Sequence, residues 1–192
     1  MGVRRSKPSV RDLPLVKKIL EEIYTMKNSK TLFVSQAALI AALYVVLTLL
    51  ANALGLANYA IQLRFSEALT ILPFFTPAAI PGLFLGCLIS NLLTGAILWD
   101  IIFGSLATLL GAVGTYLLRR CKWLAPLPPI VANTLIVPMV LYFAYHIPGS
   151  IPYFMLTVGL GEILSCGVLG ILLLLLLQKY KKYIFPAASA KE

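Results

Sequence analysis

The sequence predicts an all-α integral membrane protein of six transmembrane helices, the second of them short, with both termini in the cytoplasm. Three observations carry this reading. Of 192 residues, 60% are hydrophobic and 12% charged, about half the charged share of a soluble domain. The apolar residues fall in long runs, as crossing a bilayer requires. Of the 16 Lys and Arg, 15 lie in the N-terminal region, in the turn at 119–122 and near the C-terminus, and the positive-inside rule then places all three in the cytoplasm. The sixteenth is Arg64.

The net charge of +9 does not indicate a nucleic-acid partner, because the basic residues form short clusters flanking apolar runs. Cys87, Cys121 and Cys166 form no close pair, and two lie inside apolar segments. They read as small apolar residues rather than as metal or redox groups. No cleavable signal peptide is expected, since the first 30 residues are too charged.

Taken in order, residues 1–30 form a cytoplasmic extension. Within it Leu15, Val16, Ile19, Leu20, Ile23 and Met26 recur at helical spacing, with Lys17, Lys18, Glu21 and Glu22 on the other face. This fits a short amphipathic helix on the membrane surface, or else a loosely ordered extension. Residues 31–182 are the membrane domain and 183–192 a cytoplasmic tail.

The first span is expected from about Leu32 to Asn52. Ala37/Ala41 and Ala38/Ala42 each place small residues four apart, a flat face for close helix approach. Pattern alone favours packing within the protein. Residues 53–65 read as a long, moderately apolar loop that could close as a lid.

Ser66 to Phe75 is apolar but only ten residues long, about 15 Å as an α-helix against a core of about 30 Å. Ser66 is the expected N-cap. Thr76 is expected to cap a third helix, Pro77 to Leu93, with Pro77 in its first turn. Short, Pro-interrupted helices are tolerated where they line a cavity. The fourth helix is expected from Asp100 to Leu118, with Gly104, Gly111 and Gly114 as a small-residue face. The fifth covers Ala125–Tyr145 and the sixth Ile151–Leu177.

Three acids belong to the membrane region or its outer edge: Glu67, Asp100 and Glu162. Asp100 suits a helix start, and Glu67 could pair with Arg64 three residues away. Glu162 lies well inside a helix with no basic partner in sight. A buried, unpaired carboxylate is costly, so such groups mark functional sites by default. Asn91, Asn133, Tyr142 and His146 are the other polar groups that could reach an outward-facing cavity. No nucleophile–base constellation, metal-ligand spacing or phosphate loop is visible, so an enzyme is not expected and ATP-driven work needs other subunits.

Specific motifs then resemble a known family. The run from Gln62 to Cys87, QLRFSEALTILPFFTPAAIPGLFLGC, is similar to the QueT-type queuosine-precursor transporters. So are Asp100–Leu110, Trp123–Pro129 and Gly159–Glu162, and the resemblance covers about residues 31–182. These are substrate-binding S components of energy-coupling factor transporters. The resemblance implies an S-component-like six-helix fold in the cell membrane that captures a 7-deazaguanine base, such as 7-aminomethyl-7-deazaguanine. It also implies a membrane coupling subunit and two cytoplasmic ATPase subunits as partners, with ATP used there and no cofactor in this chain. In related S components an Ala-xxx-Ala face on the first helix docks the coupling subunit, which Ala37, Ala38, Ala41 and Ala42 match.

A deazaguanine has a donor-rich edge and, in the aminomethyl form, a cation, both suited to carboxylates. Glu67 and Glu162, with Asp100, are expected to read donors and charge. Asn91 and Asn133 would read the remaining polar edge, Tyr142 or Phe65 could stack on the ring, and Arg64 would hold Glu67 ionised. The rival readings are an S component for another vitamin and, more remotely, a small membrane enzyme acting on lipid.

Overall fold

A computed structural model describes residues 14–55 and 64–184, without the side chains of 14–28 and 181–183. The described residues form helices joined by turns and short irregular links, with no strand among them. The chain divides into two compact units, Met1–Ser35 and Gln36–Glu192. The expected lid at 53–65 falls mostly outside the described residues, as do the first 13 residues and the tail from 185.

Helix α1 (Pro14–Ala53) contains both the helical periodicity read within residues 1–30 and the first expected span. A 3₁₀ helix (Phe65–Phe74) follows, then α2 (Ala79–Leu93), α3 (Leu98–Leu117) and α4 (Leu127–Phe143). The last stretch is α5 (Ile151–Glu162), a π-helical segment (Ile163–Leu169) and α6 (Gly170–Ile184). Three stretches are long and apolar enough to cross a membrane: Ser29–Ala53, Leu98–Leu117 and Ile151–Tyr180. Phe65–Phe74, Ala79–Leu93 and Leu127–Phe143 are apolar but shorter.

The 3₁₀ helix is the centre of the second unit. It packs against α2, α3, α6 and the π segment, and seven of its residues, Ser66, Glu67 and Leu69–Pro73, are buried. The α-helix expected here is corrected to 3₁₀. Pro73 has no N–H to donate, and Thr70 gives its hydroxyl to the Glu67 carbonyl at 2.6 Å. Both disturb an i→i+4 ladder. At ~2.0 Å per residue the segment reaches about 20 Å rather than 15 Å. Ser66 is not its cap either. Arg64 holds the extended N-cap conformation, and Ser66 Oγ lies buried without a partner.

Thr76 does act at the entry to α2. Its hydroxyl accepts the Ala78 N–H at 3.3 Å and donates to Gln36 Oε1 at 3.0 Å. The Ala79 and Ile80 amides bond back to Thr76 and Pro77, so this first turn is i→i+3 and the α-helix proper begins two residues later than expected.

Helices α1 and α2 meet through small residues. A Cβ added at Gly82 would stand 2.7 Å from the Ala37 carbonyl oxygen, and one at Gly86 2.7 Å from Tyr44 Cβ. Ala37 and Ala41 are buried in this contact, whereas Ala38 and Ala42 are exposed. The docking face expected from all four alanines is therefore corrected. Two of them pack inside the protein, and two remain on the surface. On α3, Gly111 lies against Pro129 of α4, where an added Cβ would be 2.7 Å from Pro129 Cα. This layer of Tyr44, Leu83, Cys87 and Ala112 around Leu69–Leu72 and Leu174 is the core.

The expected single sixth helix contains the π segment, which starts immediately after Glu162. A π turn widens the helix and interrupts its regular face, and such turns recur at functional sites.

Candidate functional site

Two polar groups stand next to each other along the 3₁₀ helix. One lines an open cavity and the other is enclosed.

The cavity has a volume of about 350 Å³ and is lined by Thr48 and Asn52 of α1, Arg64, Asn91 near the end of α2, Asp100 and Tyr145. Asp100 opens α3, where the helix dipole favours a carboxylate. The Tyr145 hydroxyl donates to Asp100 Oδ2 at 3.1 Å and accepts the Ile97 N–H at 3.4 Å. Burial, and next the Asp100 carboxylate, push the Tyr145 phenol above its ordinary value, which keeps it a donor. The Asn91 amide donates to the Asp100 carbonyl at 3.4 Å. Gly104 leaves room for both, since a Cβ there would stand 3.3 Å from Asn91 Nδ2 and 3.3 Å from Asp100 Oδ1.

Arg64 is half-buried at the cavity wall. Burial alone would lower its pKa. The Asp100 carboxylate, then Tyr44 and Glu67, more than offset this, so the guanidinium stays charged. The expected Arg64–Glu67 ion pair does not form, as no salt bridge within 4.0 Å joins the two. The Arg64 backbone N–H instead bonds Ser165 Oγ at 3.3 Å, tying the start of the 3₁₀ helix to the π segment.

The enclosed group centres on Glu67, 1% exposed, and Glu162, 7% exposed. Tyr44 donates its hydroxyl to Glu67 Oε1. The Asn133 amide donates to Glu67 Oε2 at 3.5 Å. Glu162 Oε2 accepts the Cys166 thiol at 3.1 Å, one turn along the widened helix. Thr70 and Cys166 share the Glu67 carbonyl, at 2.6 and 3.4 Å. One oxygen of Glu67, one of Glu162 and Cys166 Sγ all lie within 4.8 Å of one another, the one such grouping of metal-ligand side chains among the described residues. Among the described residues no Lys or Arg stands within 4.0 Å of either group, so two carboxyl groups lie close together in a low dielectric without a basic partner.

Thus Glu67, Glu162 and Asn133 come together, and Arg64, Asn91 and Asp100 come together beside them. Tyr142 lies apart from both, 40% exposed and edge-on to Phe143. His146 is exposed in a left-handed conformation (φ 52°) after α4. The residues that sequence reasoning missed are Tyr44, Tyr145 and Cys166. Cys166 was legible, since it stands four residues after Glu162. Tyr44 shares a helix face with Ala37 and Ala41, where an aromatic reads as packing.

Among the described residues, apolar helices of membrane length stand together with a polar cavity and, apart from its lining, a buried carboxylate pair, the make-up of a membrane protein. The chain belongs to the QueT transporter family, whose model matches residues 34–179. Among curated proteins it is similar to the queuosine precursor transporter QueT of Lactococcus lactis subsp. cremoris (strain MG1363), with 39% identity over 99 residues. That alignment covers 50% of this chain and 57% of the relative, so the chain spans little more than half the relative's length. No solved structure matches.

Proposed function

We propose that the chain is the substrate-capture component of an ATP-driven energy-coupling factor importer, and that it takes up a queuosine precursor, a 7-deazaguanine base. The observation carrying this reading is the cavity of about 350 Å³ in which Asp100, Arg64 and Asn91 converge. The 2-amino and ring N–H donors of a deazaguanine suit the Asp100 carboxylate, and its carbonyl suits Arg64 or Asn91. The family is described as the QueT transporter, and the relative is named a queuosine precursor transporter. In this reading six helical passes cross the cell membrane with both termini inside. The 3₁₀ helix lines the binding site rather than facing lipid. The partners are a membrane coupling subunit, docked on the exposed Ala38/Ala42 face, and two ATPase subunits that hydrolyse ATP.

The test is to purify the chain alone and titrate it, without ATP, with 7-deazaguanine bases and a panel of vitamins. Saturable binding of a deazaguanine supports the reading. Binding of another vitamin only would move the chain to a capture component of different specificity.

A further inference from the structure

Away from the cavity and the carboxylates, charge is concentrated in the turn after α3. Arg119, Arg120 and Lys122 stand within four residues, and no Asp or Glu occurs between Asp100 and Glu162. Among the described residues none of the three cations has a salt-bridge partner within 4.0 Å. Arg119 and Arg120 are exposed and Lys122 is half-buried. Like charges this close repel one another, so a turn that keeps three of them is complementary to an anion.

The turn is also held in shape. The buried Thr115 hydroxyl donates to the Ala125 carbonyl at 2.8 Å, bridging the turn from one side to the other. The Leu118, Cys121 and Leu124 amides bond the Gly114, Leu118 and Cys121 carbonyls at 2.9, 3.0 and 3.1 Å. A Cβ added at Gly114 would collide with Pro128, so α3 and α4 approach closely beside it. Two of the cations are braced as well. The Arg119 guanidinium lies 4.0 Å from the centre of the Tyr116 ring, and the Lys122 ammonium 5.3 Å from that of Trp123. Such contacts hold a charged head against a ring face without neutralising it.

The surroundings of the turn select the anion. Leu98–Leu117 is apolar and long enough to cross a membrane, and Arg119 comes two residues after its end. Leu117, Leu118, Trp123, Leu124 and Leu127 are all exposed. A soluble anion or a polynucleotide would leave this apolar rim in water. A phospholipid covers the rim with its chains while its phosphate meets the cations. Basic residues beside Trp and Tyr at the end of a membrane helix suit the headgroup layer. The same pairing recurs at the end of the stretch Ile151–Tyr180, where the Lys179 ammonium lies 5.9 Å from the centre of the Tyr180 ring.

We infer that Arg119, Arg120 and Lys122, with Tyr116 and Trp123, form a headgroup site that concentrates anionic phospholipid around the α3–α4 turn. Each cation near an anionic surface adds about fivefold in affinity. The site anchors the far end of the helix that carries Asp100 and so fixes its depth in the bilayer. It shares no residue with the cavity and holds whichever face of the membrane the turn occupies.

The chain has two tryptophans, Trp99 and Trp123, so Trp99→Phe leaves Trp123 to report on the site. The full Trp99→Phe chain is reconstituted in vesicles of equal parts phosphatidylglycerol and phosphatidylcholine, with bromine on the chains of one lipid or the other. Brominated phosphatidylglycerol is expected to quench Trp123 at least about twofold more than brominated phosphatidylcholine. Combining Arg119→Gln, Arg120→Gln and Lys122→Gln is expected to equalise the two, as is salt at about 0.5 M, which screens exposed charge. The salt arm decides alone where the triple variant fails to fold. Equal quenching at low salt overturns the headgroup site, and so does a preference that neither the triple substitution nor salt diminishes. Equal quenching together with failure of the triple variant to co-purify with the coupling subunit overturns it in favour of a protein contact at the turn.

Discussion

The Tyr44 hydroxyl on α1 donates to the Glu67 carboxylate on the 3₁₀ helix, joining residues 23 positions apart with both side chains 1% exposed. This bond fixes the buried carboxylate from one side, and the Asn133 amide at 3.5 Å fixes it from the other. Tyr44 stands in the part of α1 that belongs to the second unit, so what orients Glu67 also ties that part of α1 to the 3₁₀ helix of the same unit.

Tyr44→Phe should accordingly lower stability. Removing the donor leaves a buried carboxylate oxygen unsatisfied, at a cost of ~1–3 kcal/mol. Thermal unfolding in detergent is expected to show a clear drop in midpoint. An unchanged midpoint would mean that the Tyr44–Glu67 bond contributes nothing net. Tyr44→Phe should also weaken ligand binding less than Glu67→Gln, because it removes a positioning group and keeps the charge.

The cavity and the enclosed pair should separate by mutation. Asp100→Asn removes the acceptor charge that faces Arg64 and receives Tyr145. It is expected to weaken deazaguanine bases with and without the amine alike, by about tenfold or ~1.4 kcal/mol each. Arg64→Gln should follow the same pattern. A loss confined to the aminomethyl base in Asp100→Asn would assign Asp100 to the ammonium rather than to the ring.

The alanines of α1 give a paired test. Ala41 is 8% exposed, and the Gly86 Cβ position lies 3.0 Å from its carbonyl oxygen. Ala41→Trp should therefore overpack the α1–α2 contact and reduce the yield of folded protein, as should Gly86→Leu, since forcing atoms into a filled interface costs ~1–3 kcal/mol or more. Ala42 is exposed. Ala42→Trp should leave folding and ligand binding intact and abolish co-purification with the coupling subunit. Survival of the complex in Ala42→Trp would remove the Ala38/Ala42 face from docking.

These pairs also show what the sequence could and could not reveal. Glu67, Asp100 and Glu162 were legible because an ionisable group next to or inside an apolar run needs a reason to be there. The division between Ala37/Ala41 and Ala38/Ala42 was not, because both pairs have the same spacing. Only the matching four-residue spacing of Gly82 and Gly86 on another helix distinguishes the packed pair. Helix bounds came within a few residues wherever a Pro or Gly punctuated the chain, as at Thr76–Pro77. The 3₁₀ geometry of Phe65–Phe74 was hidden, since a ten-residue apolar run buried on most sides carries no periodicity to separate 3.0 from 3.6 residues per turn. The π segment was hidden for the same reason. The fifth helix, expected to reach Tyr145, ends at Phe143. Tyr145 bonds back to the Val140 carbonyl and turns its ring to Asp100.

Orientation in the membrane has a direct readout in the cysteines. Cys121 is exposed in the turn after α3, whereas Cys87 and Cys166 are buried. That turn also carries Arg119, Arg120 and Lys122, which the positive-inside rule places in the cytoplasm. A membrane-impermeant maleimide applied to intact cells should therefore leave the protein unlabelled, and the same reagent applied to inside-out vesicles should label it at one site. Cys121→Ser should abolish that labelling without altering ligand binding, because Cys121 belongs to neither the cavity nor the enclosed cluster. Labelling of Cys121 in intact cells would reverse the proposed topology and put the Arg64–Asp100 cavity on the wrong face for uptake.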